Sequence, residues 1–165
     1  MIMNQLRLFT IGVYGFSEEE FFGALKNALI DTFCDVRRRR GVRGSTYAFV
    51  NSNRLQQKLA ETGIRYLYLK QFAPAEFVRD LQRASDKASG VKKRDRPALS
   101  EAFVHAYESE CLRGMFQQDF LNQLGPGAHN AVLFCVEQRP EACHRSILAR
   151  HLGSLLGIEP AHLLP

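Results

Sequence analysis

Asn130-Ala131-Val132-Leu133-Phe134-Cys135-Val136 (NAVLFCV) runs straight into Glu137-Gln138-Arg139-Pro140-Glu141-Ala142-Cys143-His144-Arg145. The first segment, a short apolar run with β-branched and aromatic residues, predicts a buried strand. Pro140 stands at the first position of a helix that apolar spacing carries to Leu156, with Gly157 at its end. The junction gathers a carboxylate, a thiol, an imidazole and a guanidinium within nine residues. A helix's first turn presents unpaired N–H groups and partial positive charge. That environment suits a docked anion, or a cysteine held as thiolate.

The same strand-to-helix succession recurs upstream. Leu6 to Val13 (LRLFTIGV) reads as a strand, Ser17 with Glu20 as a capping box, and Phe21, Phe22, Leu25 and Leu29 as one helical face. Asp31 to Val36 (DTFCDV) is a second strand, Asn53 to Thr62 a helix closed by Gly63, and Ile64 to Leu69 a third strand. Pro74 opens a helix through about Ala84, and the polar, basic stretch 85–97 reads as a long exposed loop. Leu99 to Leu124 is helical with a break near Gly114, Gly125-Pro126-Gly127 is a turn, and Ala161 to Leu164 a short edge strand.

This alternation predicts a single α/β domain over residues 1–165. It should have three layers: a mostly parallel sheet of four or five strands with helices on both faces. Ligands of such sheets bind beyond the carboxyl ends of the strands. The segments after Val13, Val36 and Val136 should therefore meet at one edge, in one solvent-reachable cleft.

The chain has 165 residues, 45% apolar and 24% charged, which is ordinary globular composition and enough for a core without disulfides. Cys34, Cys111, Cys135 and Cys143 show no metal-type pairing, since none is followed by another cysteine three residues later. Cys34 and Cys135 lie in apolar runs and suit small buried hydrophobes. No apolar run approaches the roughly 18 residues of a membrane span. The opening MIMNQLRLF is too short and too quickly polar for an exported leader, so a cytoplasmic location with reduced thiols is expected. No motif specifies a cofactor or an oligomeric state.

The net charge of +5 is concentrated in two clusters, Arg37, Arg38, Arg39, Arg40 and Arg43, then Lys87, Lys92, Lys93, Arg94 and Arg96. Such clusters suit phosphate-bearing partners through charge attraction and bidentate arginine contacts, although solvated basic loops look the same. Tyr47 and Phe49, interleaved with glycine and serine after the first cluster, suit base stacking or else cover the core. Arg37, Arg38, Arg40, Arg43, Arg145 and Tyr47 are thus the candidate anion contacts.

Asp35 and Glu137 each end a strand and are candidates for proton transfer. A metal site combining them with His144 is conceivable, but the spacing fits no established ligand motif. Asp35 could equally neutralise Arg37 or Arg145 in a buried ion network. Cys143, in a first helical turn, is a candidate nucleophile, with His144 as proton acceptor or donor to a ligand. Adjacent helical residues point about 100° apart, so a direct Cys143–His144 hydrogen bond is not expected.

Thr10-Ile11-Gly12 with Ser17 and Phe21, then Asp35-Val36-Arg37, Gly63-Ile64-Arg65-Tyr66, and Cys135-Val136-Glu137 followed by Cys143-His144-Arg145 occur in that order. These blocks resemble the domain-of-unknown-function family 488, of which this chain looks like a basic-loop branch. The resemblance spans most of the chain and implies site residues at Asp35, Arg37, Glu137, Cys143, His144 and Arg145. The residues together suggest an enzyme, hydrolase or transferase, acting on a phosphorylated ligand, nucleotide or nucleic acid. The alternatives are a nucleic-acid-binding module without chemistry and a structural or interaction protein.

Overall fold

The computed structural model describes residues 5–165; residues 1–4, on which the leader reading partly rests, lie outside the described residues. Five strands, β1 (Arg7–Ile11), β2 (Thr32–Asp35), β3 (Arg65–Tyr68), β4 (Asn130–Phe134) and β5 (Ala161–Leu163), form one sheet in the order β3-β2-β4-β1-β5. Every pairing is parallel. The helices are α1 (Glu18–Asn27), α2 (Ser52–Glu61), α3 (Glu76–Ser89), α4 (Glu101–Tyr107), α5 (Gln117–Leu124) and α6 (His144–Leu156). This is the expected three-layer α/β domain. No helix among the described residues is long and apolar enough to cross a membrane.

Two cores lie on opposite faces of the sheet. Phe21 and Leu25 of α1 and Leu55 and Leu59 of α2 pack with Phe9, Phe33, Val132 and Phe134. The Phe21 ring has the rings of Phe16, Phe22, Phe33, Phe49 and Phe134 at 5.3–6.4 Å, mostly edge to face. Each such pair contributes about 0.5–1.5 kcal/mol beyond area burial. On the other face, residues of α3, α4, α5 and α6 pack with Leu8, Cys34, Ala131 and Leu133. Burying both faces explains why the strands read as continuous apolar runs.

The capping box holds: Glu20 N–H donates to Ser17 Oγ at 3.2 Å, and Ser17 N–H to Glu20 Oε2 at 2.8 Å. The exposed loop expected over 85–97 is shorter: residues 85–89 belong to α3, and residues 90–97 lie outside the α-helices, with 92–95 and 97 exposed. Helix α3 continues to Ser89, where Gly90 ends it at φ 68°. The segment beyond is tied back, because Arg96 is buried and its Nε donates to Asp86 Oδ1 at 3.0 Å. Between α4 and α5 the chain makes one wide turn, Arg113 N–H bonding Glu108 O at 2.9 Å, before the break at Gly114.

The last helix also starts later than its proline suggests. Pro140–Ala142 form a single tight turn, Cys143 is extended at φ −138°, ψ 140°, and α6 begins at His144. Proline fixes φ but has no say over the residue three positions on.

Candidate functional site

Helices α1 and α2, which follow β1 and β2, both lie on one face; α6, which follows β4, lies on the other. Strand β4 is flanked by β1 and β2, and the helix that follows it lies on the face opposite to those that follow its neighbours. Such a switch point opens a crevice at the carboxyl edge of a parallel sheet. Gly12 lets the segments after β1 and β4 meet closely there: a Cβ on it would lie 1.8 Å from the Glu137 carbonyl oxygen.

Three separate groupings form around this edge. The first joins β2 to β3. Arg37 Nε donates to Asp35 Oδ1 at 2.9 Å and Nη2 to Oδ2 at 2.8 Å, a two-pronged ion pair. Tyr66 Oη donates to Asp35 Oδ2 at 2.7 Å, and the Arg37 guanidinium lies 4.6 Å from the Phe134 ring centre. Asp35 is wholly buried and well supplied with donors, while Arg37 Nη1 is buried with no partner.

The second grouping is Arg145. It is wholly buried, and its Nη1 donates to Glu137 O at 2.5 Å, Nη2 to Gln138 O at 3.2 Å and Nε to Thr10 Oγ1 at 3.4 Å. All three nitrogens face protein acceptors. Its guanidinium fastens the turn after β4 to β1.

The third is Cys135, Cys143 and His144. Both sulfurs lie 4.0 Å from His144 Nδ1, and the three ligand atoms are all within 4.8 Å of one another. His144 Nε2 is 3.0 Å from the Val36 carbonyl oxygen. That oxygen can only accept, so Nε2 carries a proton and Nδ1 faces the sulfurs. The direct Cys143–His144 approach, not expected for a shared helix, follows from the extended backbone at Cys143. Burial alone would raise the Cys143 thiol, but the hydrogen bond from Cys135, the Arg145 charge and His144 hold it well below the usual thiol range. Cys135 is pushed well above that range by its hydrogen bond to Cys143 and by burial.

Glu137 lies at this edge, just beyond β4. Its side chain is 9% exposed, and Oε1 lies 3.2 Å from Nζ of Lys93, which is 62% exposed. Lys93 is the only partner of Oε1 among the described residues, and it reaches that oxygen from solvent. Burial raises the Glu137 carboxyl, against the lowering effect of Lys93. Tyr14, in the turn after β1, is raised by burial and feels both Lys93 and Glu137.

The predicted residues thus meet at one edge but do not share one open cleft. Asp35 and Arg145 are wholly buried; Arg37 and Cys143 are 3% exposed, and Glu137 and His144 7%. Among the expected anion contacts, Arg38 lies 3.7 Å from Glu76, and Arg40 stacks 4.2 Å over the Tyr68 ring. Tyr47 packs against Tyr14, with ring centres 5.0 Å apart and planes tilted by 52°, and accepts from Gly15 N–H at 3.1 Å. Arg43 is exposed. Sequence reasoning missed Lys93 and Tyr14 as neighbours of Glu137, and missed Cys135 as a member of the thiol–imidazole trio. A groove of about 800 Å³ runs along α6 and residues 157–162, lined by Val104, Ile147 and Ile158 among others. It contains none of these groups, and chemistry follows the convergence of reactive atoms, so the carboxyl edge of the sheet is the better candidate.

Fold and site together define a doubly wound parallel α/β protein with acid, thiol and imidazole groups at its switch point. Residues 17–152 match the family described as Domain of unknown function DUF488, and the chain belongs to that family. The Thr10-Ile11-Gly12 block precedes the matched region. Neither the curated proteins nor the solved structures contain a match to this chain.

Proposed function

We propose that this protein is an enzyme acting on a phosphate-bearing ligand, a nucleotide or nucleic acid, at the carboxyl edge of its sheet. The observation that carries this reading is the Glu137 carboxylate: nearly buried, at the switch point, raised by burial, and with one mostly exposed lysine beside its Oε1. A carboxylate raised by burial beside a displaceable charge is a candidate for proton transfer. Glu137 moves the proton. Lys93, exposed and already beside it, meets the anion, and the exposed arginines of residues 38–43 add long-range attraction.

Asp35, Arg37 and Arg145 serve this reading as supports. The Asp35–Arg37 fork fixes the end of β2, and Arg145 holds the main chain that carries Glu137. Cys143 and His144 are buried at the same edge.

The test is binding and turnover of nucleotides and of single- and double-stranded nucleic acid by the wild type, Glu137→Gln and Lys93→Ala. Glu137→Gln should keep binding and lose turnover by about 10²-fold or more, as removal of a general acid or base does. Lys93→Ala should weaken binding. Binding that falls with salt but is unchanged by Glu137→Gln, with no product from any protein, would favour a non-catalytic nucleic-acid binder. No binding and no turnover across the panel would overturn the proposal.

A further inference from the structure

We propose that Cys135, Cys143 and His144 form a binding site for one zinc-class metal ion, held by two thiolate sulfurs and the Nδ1 of the imidazole. The proposal goes beyond the substrate reading above and does not depend on it.

Geometry comes first. Zinc bonds of about 2.3 Å to sulfur and about 2.0–2.1 Å to nitrogen, at tetrahedral angles, put sulfur and nitrogen roughly 3.6 Å apart. The two sulfur–nitrogen distances here are both 4.0 Å, and no pair in the trio exceeds 4.8 Å. Side-chain adjustments of a few tenths of an ångström to about one ångström would close the trio around an ion.

The imidazole supplies the second, independent indication. A metal-binding histidine nearly always donates its other ring N–H to a carbonyl or carboxylate, which fixes the tautomer and aims the free nitrogen at the metal. His144 does this through Nε2 and the Val36 carbonyl at 3.0 Å. Its Nδ1 lone pair is thereby turned to both sulfurs. In the metal-free protein that nitrogen accepts from a thiol S–H, and a bound metal ion would take the place of the proton.

The backbone explains how ligands close in sequence reach one point. Cys135 leaves the end of β4, whereas Cys143 is extended just before α6, and its neighbour His144 opens that helix. Two soft sulfurs and one nitrogen select zinc or a similar thiophilic ion and disfavour magnesium and calcium, which take oxygen. Two thiolates neutralise a divalent ion, so the nearby Arg145 charge faces a site of no net charge. Among the described residues, no fourth His, Cys, Asp or Glu joins the cluster. Three protein ligands with a fourth position left to water or an anion is the pattern of catalytic rather than structural zinc.

The experiment uses the full chain, reduced and freed of metal with a chelator. Zn²⁺ is titrated against a chromophoric competitor, and Co²⁺ is added separately to read thiolate-to-metal absorption. The wild type should take up one equivalent of Zn²⁺, unaffected by excess Mg²⁺, and Co²⁺ should give a thiolate charge-transfer band. Cys135→Ser and Cys143→Ser should each weaken Zn²⁺ binding at least tenfold and diminish that band. Because buried variants can misfold, the wild type is also alkylated with and without Zn²⁺ under mild denaturant. Zinc should protect Cys135 and Cys143 and leave Cys111 reactive. The proposal is overturned if the wild type takes up no zinc. It is equally overturned if Cys135→Ser binds zinc as tightly, or if protection falls on other cysteines. Zinc uptake without turnover on any phosphate substrate would leave this site standing and count against the function proposed above.

Discussion

Lys93 Nζ lies 3.2 Å from Glu137 Oε1, joining a segment before α4 to the end of β4 across 44 residues of sequence. The lysine is mostly in solvent and the carboxylate mostly out of it. An exposed partner of this kind contributes little to folding, about 1 kcal/mol at most, because water screens it. It is also free to leave. An arriving anion can take the ammonium and uncover the carboxylate in one movement.

What holds Lys93 in reach is the pair Asp86–Arg96, and this pair gives a pH prediction. Arg96 first, then Gln82, hold the Asp86 carboxyl below the usual carboxylate range. A carboxyl lowered in the folded state contributes stability above its unfolded value near about 3.9, and the contribution fades as pH falls through the folded value. Asp86→Asn should therefore destabilise the protein by about 2–3 kcal/mol at pH 7, by the loss of a charged hydrogen-bonded pair. The gap from the wild type should shrink towards pH 3, as read by urea unfolding. A gap that is constant with pH would show the pair to be irrelevant.

Arg145 fills a structural position, and its replacement should show in stability before it shows in binding. Arg145→Met removes donors to Glu137 O, Gln138 O and Thr10 Oγ1 from a wholly buried place. The expected loss is about 1–3 kcal/mol for each buried carbonyl left without a donor, read by chemical denaturation. Arg145→Lys should recover less than half, because an ammonium cannot span three acceptors as a planar fork does.

Tyr66 and Asp35 separate a hydrogen bond from a charge. Tyr66→Phe deletes the 2.7 Å bond to Asp35 Oδ2 and should cost about 1 kcal/mol. Asp35→Asn leaves the buried Arg37 guanidinium without its counter-charge and should cost about 3–5 kcal/mol. Equal losses would contradict the assignment of Asp35 as the ionic partner.

Two glycines make a controlled comparison of backbone space. At Gly12 a Cβ would fall 1.8 Å from Glu137 O and 2.8 Å from Glu137 C, both main-chain atoms. Gly12→Ala should cost at least about 3 kcal/mol, since rigid backbone must shift. Gly23, inside α1, has nothing within 4 Å of such a Cβ, and Gly23→Ala should gain about 0.5–1 kcal/mol. Thermal melts of the two variants should move in opposite directions.

Much of this architecture was legible in the residues, for reasons the structure makes plain. Strands buried on both faces carry unbroken apolar runs such as Ala131–Phe134, and Ser17 with Glu20 marks a helix start through local bonds alone. Gly63 and Gly157 mark helix ends because both adopt positive φ. The last turn of α3 was not legible: Lys87, Ala88 and Ser89 are exposed, so they show no apolar period and pass for loop. The Asp86–Arg96 pair depends on a chain reversal at Gly90, which no spacing rule reveals. At the site, the meeting of strand ends followed from topology. The nearness of Cys135 to His144 did not, because it depends on the extended backbone of Cys143 and not on helical phase.

The account rests on ligand binding beside Glu137, and amide chemical shifts read that directly. Inorganic phosphate and ATP are titrated in turn into isotope-labelled wild-type protein. The largest changes should fall on Tyr14, Lys93 and Glu137, and the same residues should respond in Glu137→Gln. Changes confined to other basic surfaces, such as the exposed Arg38, Arg39 and Arg43, or no changes at saturating concentration, would contradict it.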